Sequence, residues 1–153
     1  MSLKKDVGQT RGLEHAHRPG LQALRPGDRA RVRARSSRAL AGSVDLGESL
    51  RLLLPNEARW DYVVARVTEQ GDEALHWIEV HPATGSGVFG DVARKAEWLL
   101  AWLSEDGRRL NRLPRRIVWV ASGKAGFQRN APQPRRLSAL GVEFVGERHD
   151  LEL

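Results

Sequence analysis

The chain has 153 residues, 41% hydrophobic and 29% charged, the size and composition of one ordinary globular domain, which excludes wholesale disorder. It contains no cysteine, so disulfides, thiolate zinc sites and cysteine nucleophiles are excluded, and a reducing, cytoplasmic setting is expected. The net charge of +6 sits at the front: residues 1–38 hold ten Lys and Arg against three acids, +7, and the rest hold fifteen against sixteen, −1.

Residues 1–38 contain two turn signals, Pro19-Gly20 and Pro26-Gly27, that break any long periodic element. Eight of their ten cations are arginine, which meets phosphate in a planar, bidentate way that lysine does not. This segment is expected to be a basic, partly disordered N-terminal arm that contacts nucleic acid, with a solvated tail as the plainer alternative. Within it Arg29-Ala30-Arg31-Val32-Arg33-Ala34-Arg35 alternates at period two, the pattern of a short edge strand or of an arm that orders on a polyanion. His15 and His17 could at most chelate a metal weakly. No apolar run approaches the roughly 18 residues of a membrane span, and no hydrophobic segment follows Lys4 and Lys5, so neither a span nor a signal peptide is expected.

Residues 39–153 read as a single α/β domain. Leu40, Val44, Leu46, Leu50, Leu53 and Leu54 recur at helical steps, predicting a helix over 36–54 with Ser43 as N-cap and Pro55-Asn56 as its stop. Two strands follow, Arg59–Thr68 and Ala74–His81, joined by a hairpin-length loop containing Gly71. In the first, Asp61, Val63, Ala65 and Val67 share a face. In the second, Leu75, Trp77, Glu79 and His81 share one and His76, Ile78 and Val80 the other. A helix is predicted over Asp91–Asp106, with Val92, Ala96, Leu99, Leu100 and Leu103 as its buried stripe, Lys95 and Trp102 at its border and Gly107 at its end. The apolar run in Arg115–Ala121 reads as a strand buried on both faces. A loop over Ser122–Pro134, a short helix over Arg135–Leu140, a last strand over Val142–Val145 and a peripheral polar tail complete the chain.

Each of the two central strands carries one carboxylate among apolar neighbours, and a charge in that setting is expensive to bury without a partner. Either Asp61 and Glu79 lie on a solvated sheet face, or they converge on a shared divalent cation. Gly85-x-Gly87-x-x-Gly90 has the spacing of a dinucleotide-binding turn, but Pro82-Ala83-Thr84 separates it from the strand, the following strand has no acidic end and too little chain remains for that sheet. What survives is a helix N-terminus whose free N–H groups could hold a phosphate oxygen. Ser122-Gly123-Lys124-Ala125-Gly126 lacks the upstream glycine of a P-loop and reads as a loop at the carboxyl end of a strand. His76 reads as a partly buried, satisfied histidine, and His149 shows no evident role. The five tryptophans, Trp60, Trp77, Trp98, Trp102 and Trp119, all fall on predicted elements and are explained by core packing.

The order of a helix, a strand with Asp61, a strand ending Glu79-Val80-His81, a helix bearing Lys95 and a strand over 116–121 resembles the core of the PD-(D/E)XK nuclease-like superfamily, also called restriction-endonuclease-like. The resemblance covers roughly residues 40–121. It implies a central mixed sheet flanked by helices, with Asp61 and Glu79 holding Mg²⁺ (or Mn²⁺) against a scissile phosphate, the Val80 carbonyl as a further ligand and Glu48 as an extra carboxylate. The chain departs from the pattern at His81, which stands where the family has the lysine that positions or activates the attacking water. His81 could do part of that work, and relatives that carry the lysine on the next helix nominate Lys95. The implied function is a metal-dependent nuclease acting on nucleic-acid phosphodiesters. The alternative is a catalytically inactive member of the same fold that binds nucleic acid or protein, and a third reading is an assembly protein whose basic segment makes homo-oligomer contacts.

Overall fold

Strict alternation along three neighbouring strands builds the molecule's centre, because side chains on successive strand residues point to opposite faces of a sheet. A computed structural model of the chain describes residues 1–128 and 132–152. Its elements are α1 (Leu3–Val7), α2 (Pro26–Arg29), β1 (Val32–Arg33), β2 (Leu40–Asp45), α3 (Leu46–Ser49), β3 (Tyr62–Val67), β4 (Glu73–His81), α4 (Val88–Leu103), β5 (Arg115–Ala121), α5 (Arg135–Ala139), β6 (Val142–Phe144) and β7 (His149–Asp150), with single 3₁₀ turns at Ser37–Ala39 and Leu110–Arg112.

The main sheet has five strands in the order β2-β3-β4-β5-β6. The first three form an antiparallel meander, and β5 and β6 are added in parallel. The chain is thus α/β with a mixed sheet. The parallel step from β4 to β5 needs a crossover, which α4 supplies. One sheet face carries Val63, Ala65, Leu75, Trp77, Ile117 and Trp119 and is covered by α4 through Val92, Ala96 and Leu99, with Leu3 and Val7 of α1, Leu46 of α3 and Leu137 of α5 in the same core. The other carries Tyr62, Val64, Ile78, Val118 and Val120 and is covered by Leu24, Val32, Val145 and Leu151. Both faces of β5 are therefore buried, as its unbroken apolar run predicts.

The helices with buried apolar residues, α1, α3, α4 and α5, pack on one face, and the other is covered in part by residues 1–38, which lie folded on the sheet where a basic, partly disordered arm is expected from the sequence. Leu3, Val7, Leu13 and Leu24 are buried, and β1 pairs in parallel with β7. The arginines of this segment partly serve the fold: Arg31 donates to the carbonyls of Ala121 at 3.0 Å, Ser122 at 2.9 Å and Glu147 at 3.2 Å. Regularly spaced arginines mask a sparse set of leucines that is apolar enough to dock. The tail is likewise internal, since Leu151 and His149 are buried. His149 Nε2 lies 2.8 Å from His76 Nδ1, which pairs one nitrogen of each ring and gives His149 a structural role.

The helix predicted over 36–54 is instead β2 followed by the single turn α3. Ser43 is a buried strand residue whose Oγ accepts from the Ala23 N–H at 3.1 Å, and the N-cap is Asp45, which accepts from the Glu48 N–H at 2.9 Å. At the start of β2 the register shifts between Leu40 and Gly42, and Gly42 has φ +132°, with the His17 ring where a Cβ would stand. The strands over 59–68 and 74–81, the helix after the glycines and the strand 115–121 form within three residues of their expected starts and ends. Gly107 follows α4 because the Trp102 ring lies against it, leaving no space for a Cβ. The loop expected over 122–134 includes residues 129–131, which lie outside the described residues.

Two outcomes are expected of this packing. Leu13→Ala should lower the unfolding free energy by about 2–5 kcal/mol, the range of buried leucine truncations, measured by urea denaturation; a segment not packed on the fold would give no change. Burial, then the neighbouring His149, Arg116 and Arg66, lower the His76 pKa to about 3. The unfolded chain therefore binds a proton that the folded one refuses, so this contribution to stability is full above about pH 6.5 and lost as pH falls toward 3. Urea midpoints across that window should fall less steeply in His76→Gln than in the parent chain.

Candidate functional site

At the carboxyl end of β4 the antiparallel ladder with β3 stops at the pair Tyr62 and Ile78. One residue further on, carboxylates take over from backbone pairing. The Asp61 N–H donates to Glu79 Oε1 at 3.1 Å, and the Val80 N–H donates to Asp61 Oδ2 at 3.0 Å. The Asp61 carbonyl in turn accepts from the N–H groups of Leu46 at 2.8 Å and Gly47 at 3.2 Å, which seats α3 against the start of β3. Arg59 pins the intervening loop by donating to the carbonyls of Gly47 at 2.8 Å and Leu54 at 2.6 Å.

Both carboxylates face α4, and Lys95 of that helix meets them. Its Nζ donates to Glu79 Oε2 and to Asp61 Oδ1, the latter at 3.5 Å. The expected convergence of Asp61 and Glu79 is thus present, with an ammonium group shared between them. The Glu79 side chain is 0% exposed, Lys95 22% and Asp61 29%. Burial, then the Asp61 charge, push the Glu79 pKa up to about 8, with Lys95 pulling the other way. Burial also raises Asp61 against the opposing pull of Lys95. Burial alone would lower Lys95, but Glu79 and Asp61 together outweigh it and hold the ammonium above its ordinary value.

The cluster opens onto a cleft of about 580 Å³ whose lining includes Asp61, Val80 and Lys95 and, around them, Arg25, Asp28, Asp45, Glu48, Arg51, Arg59 and Tyr62. The Tyr62 hydroxyl donates to Asp28 Oδ2 at 2.6 Å; burial, then that bond, raise its pKa. Asp45 is also raised, chiefly by burial. Two expected site residues lie apart from the cluster's contacts. Glu48 is exposed on α3 and pairs with Arg51 at 3.2 Å. His81 turns its Nδ1 to the Pro82 carbonyl at 3.0 Å and packs edge-on to Trp119. Among the described residues no three Asp, Glu, His or Cys side chains gather closely enough to hold a metal ion. The donor set at this point is therefore two carboxylates, hard oxygen ligands of the type Mg²⁺ takes, already arranged around a positive charge.

Sequence reading reached Asp61, Glu79 and Lys95 but missed Arg25, Asp28, Asp45, Arg59 and Tyr62 as cleft residues. For Lys95 a helical signal exists: it lies three residues after Val92 and four before Leu99, both buried, so it interrupts the core stripe itself. For Arg25 and Asp28 no local signal exists, since they reach the cleft only through the docking of the N-terminal segment. Gly87, with φ +82°, is the N-cap of α4, as the glycine spacing implies, and the Gly126 N–H of the loop after β5 donates to the Ala83 carbonyl at 2.9 Å. No protein-family model matches the chain, nor does any curated protein or solved structure. No helix among the described residues is long and apolar enough to cross a membrane.

The electrostatics sets a sign that can be measured. Removing the ammonium with Lys95→Met takes away the partner that stabilises ionised Glu79, so the folded-state pKa of Glu79 should rise further. A carboxyl whose folded pKa is raised stabilises below its unfolded value near 4.5 and loses that contribution as pH rises through the folded value. Lys95→Met should therefore be destabilised more at pH 9 than at pH 6, by chemical denaturation at both; a deficit independent of pH would show that the lysine does not control Glu79.

Proposed function

We propose that this protein is a metal-dependent phosphodiesterase of nucleic acid, built on a restriction-endonuclease-like core. The observation that carries this reading is the meeting of Lys95 from α4 with Asp61 and Glu79 at the ends of adjoining strands, at the head of an open cleft lined by Arg25, Arg51 and Arg59 together with Asp28, Asp45, Glu48 and Glu57. A lysine, an aspartate and a glutamate with these origins are what the resemblance calls for once the lysine has moved from position 81 to the following helix. The mixed sheet supports it too, since the resemblance implies a central mixed sheet in which the strands bearing Asp61 and Glu79 are followed by a helix and a further strand.

Asp61 and Glu79 would hold Mg²⁺ or Mn²⁺, and a divalent ion there supplies a bound water of lowered pKa and a polarised phosphoryl oxygen. The chain's own residues do the rest. Glu79 is oriented through the Asp61 N–H and Asp61 through the Val80 N–H, so neither carboxylate must be ordered when substrate arrives. Lys95, held on a 16-residue helix, places a donor and a positive charge where phosphate charge grows. Arg51 lines the approach. A second basic concavity, lined by Arg108, Arg109 and Arg112, lies before the start of β5, at the end of that strand opposite the cleft, and gives a long polyanion a further contact.

A second reading, an inactive binding module of the same fold, draws on one specific observation: Lys95 already bridges the two carboxylates, and among the described residues no third Asp, Glu, His or Cys joins them closely enough to hold a metal. One experiment separates the two. With Mg²⁺ or Mn²⁺ the purified chain should nick plasmid or degrade single strands, and Glu79→Ala and Lys95→Ala should each reduce the rate at least about 100-fold, the scale of a lost electrostatic or acid–base contribution. Undiminished cleavage by both variants would assign the activity to a contaminant, and salt-sensitive binding without cleavage would favour the inactive module.

A further inference from the structure

Four cations line the cleft, and three are already committed. Lys95 is held by Asp61 and Glu79, Arg51 carries its own carboxylate in Glu48, and Arg59 is spent on the carbonyls of Gly47 and Leu54. Arg25 differs. Its side chain is exposed on the cleft wall and makes no hydrogen bond or ion pair with any described residue.

The backbone beneath it, by contrast, is bolted down. Ser43 Oγ accepts from the Ala23 N–H at 3.1 Å, the Tyr62 hydroxyl accepts from the Arg25 N–H at 3.4 Å and donates to Asp28 at 2.6 Å, and the Arg18 and Ser43 backbones exchange two hydrogen bonds of 2.9 Å. Leu24, next in the chain, is buried against the sheet. A guanidinium that no hydrogen bond or ion pair holds, carried on a backbone already fixed in place, offers a planar fork of donors to a tetrahedral oxyanion, and only the side chain itself remains to be ordered on binding. Arg25 lines the same cleft as Asp61 and Lys95, and the carboxylate that feels its charge there is Asp45.

We infer that Arg25 is a phosphate-binding subsite on the wall of this cleft, gripping the backbone phosphate of a nucleic-acid strand next to the one presented to Asp61, Glu79 and Lys95. The N-terminal segment, which also brings Asp28 to the lining, thus forms one jaw of the cleft, with the backbone at Arg25 set by Ser43 and Tyr62. This assignment rests on the phosphodiesterase reading for its polymer, and on the free guanidinium and its fixed backbone for its chemistry.

Two probes test it, both on the full chain carrying Glu79→Gln to prevent turnover. With a 5′-fluorescein-labelled 15-nucleotide single strand read by anisotropy, Arg25→Ala should weaken binding about tenfold and lower the slope of log K against log salt by about 0.7, one single-strand phosphate contact. Arg25→Lys should restore the slope but only part of the affinity, because the bidentate fork is lost. In a titration with inorganic phosphate, the Arg25 Nε–Hε resonance should shift at concentrations that leave Arg59 unmoved. An Arg25→Ala protein that binds the strand with unchanged affinity and slope overturns the subsite while leaving the phosphodiesterase reading intact. A parent chain that shifts with phosphate yet binds no strand keeps the subsite and overturns the polymer; no binding of either probe overturns both.

Discussion

The structure depends on a charge problem solved at one point. Two carboxylates and one ammonium meet where the β3–β4 ladder ends, and Glu79, fully enclosed, could not be ionised there without company. Three elements must be in register for the company to be present. The start of β3 presents the Asp61 N–H to Glu79, the end of β4 presents the Val80 N–H to Asp61, and α4 must dock with Lys95 on its sheet-facing side. Because the Asp61 carbonyl also anchors Leu46 and Gly47, the same point fixes α3 and one wall of the cleft. Fold and site are here one set of hydrogen bonds.

The sheet's two faces divide the remaining work. One side packs helices over Trp77 and Trp119, and its aromatic layer continues through Phe89, Phe127 and Phe144, with ring centroids 4.6 to 5.7 Å apart along this chain of contacts. The other side has no long helix and is closed by the two chain ends, tied to each other through β1 and β7 and to the sheet through the His76–His149 contact. The N-terminal segment therefore contributes to core burial and cleft lining at once, and its arginines split between holding carbonyls, as Arg31 does, and facing solvent, as Arg25 does.

β3, β4 and β5 are legible from short apolar runs rich in β-branched and aromatic residues and bounded by turn residues, and the helix between β4 and β5 from its stripe of Val92, Ala96, Leu99 and Leu103. The region 36–54 was misread for a physical reason. Leucines three and four apart from Leu46 onward suit a helix, and nothing in the spacing of Leu40–Asp45 opposes one; its pairing with β3 is a long-range gain invisible to local spacing. The leading segment was misread because net charge hides sparse leucines: Leu3, Leu13 and Leu24 have no period, yet each finds a pocket.

By itself the sequence determined the α/β class, the central strands, the crossover helix and the shared face of Asp61 and Glu79, since side-chain parity along a strand follows from backbone geometry alone. Only the tertiary structure decided that Lys95 and not His81 stands with those carboxylates, that Glu48 turns to Arg51, and that Arg25 overlooks the cleft. These are choices among neighbours far apart in the chain, and they are made by docking, where burial and charge compensation are summed over the whole fold.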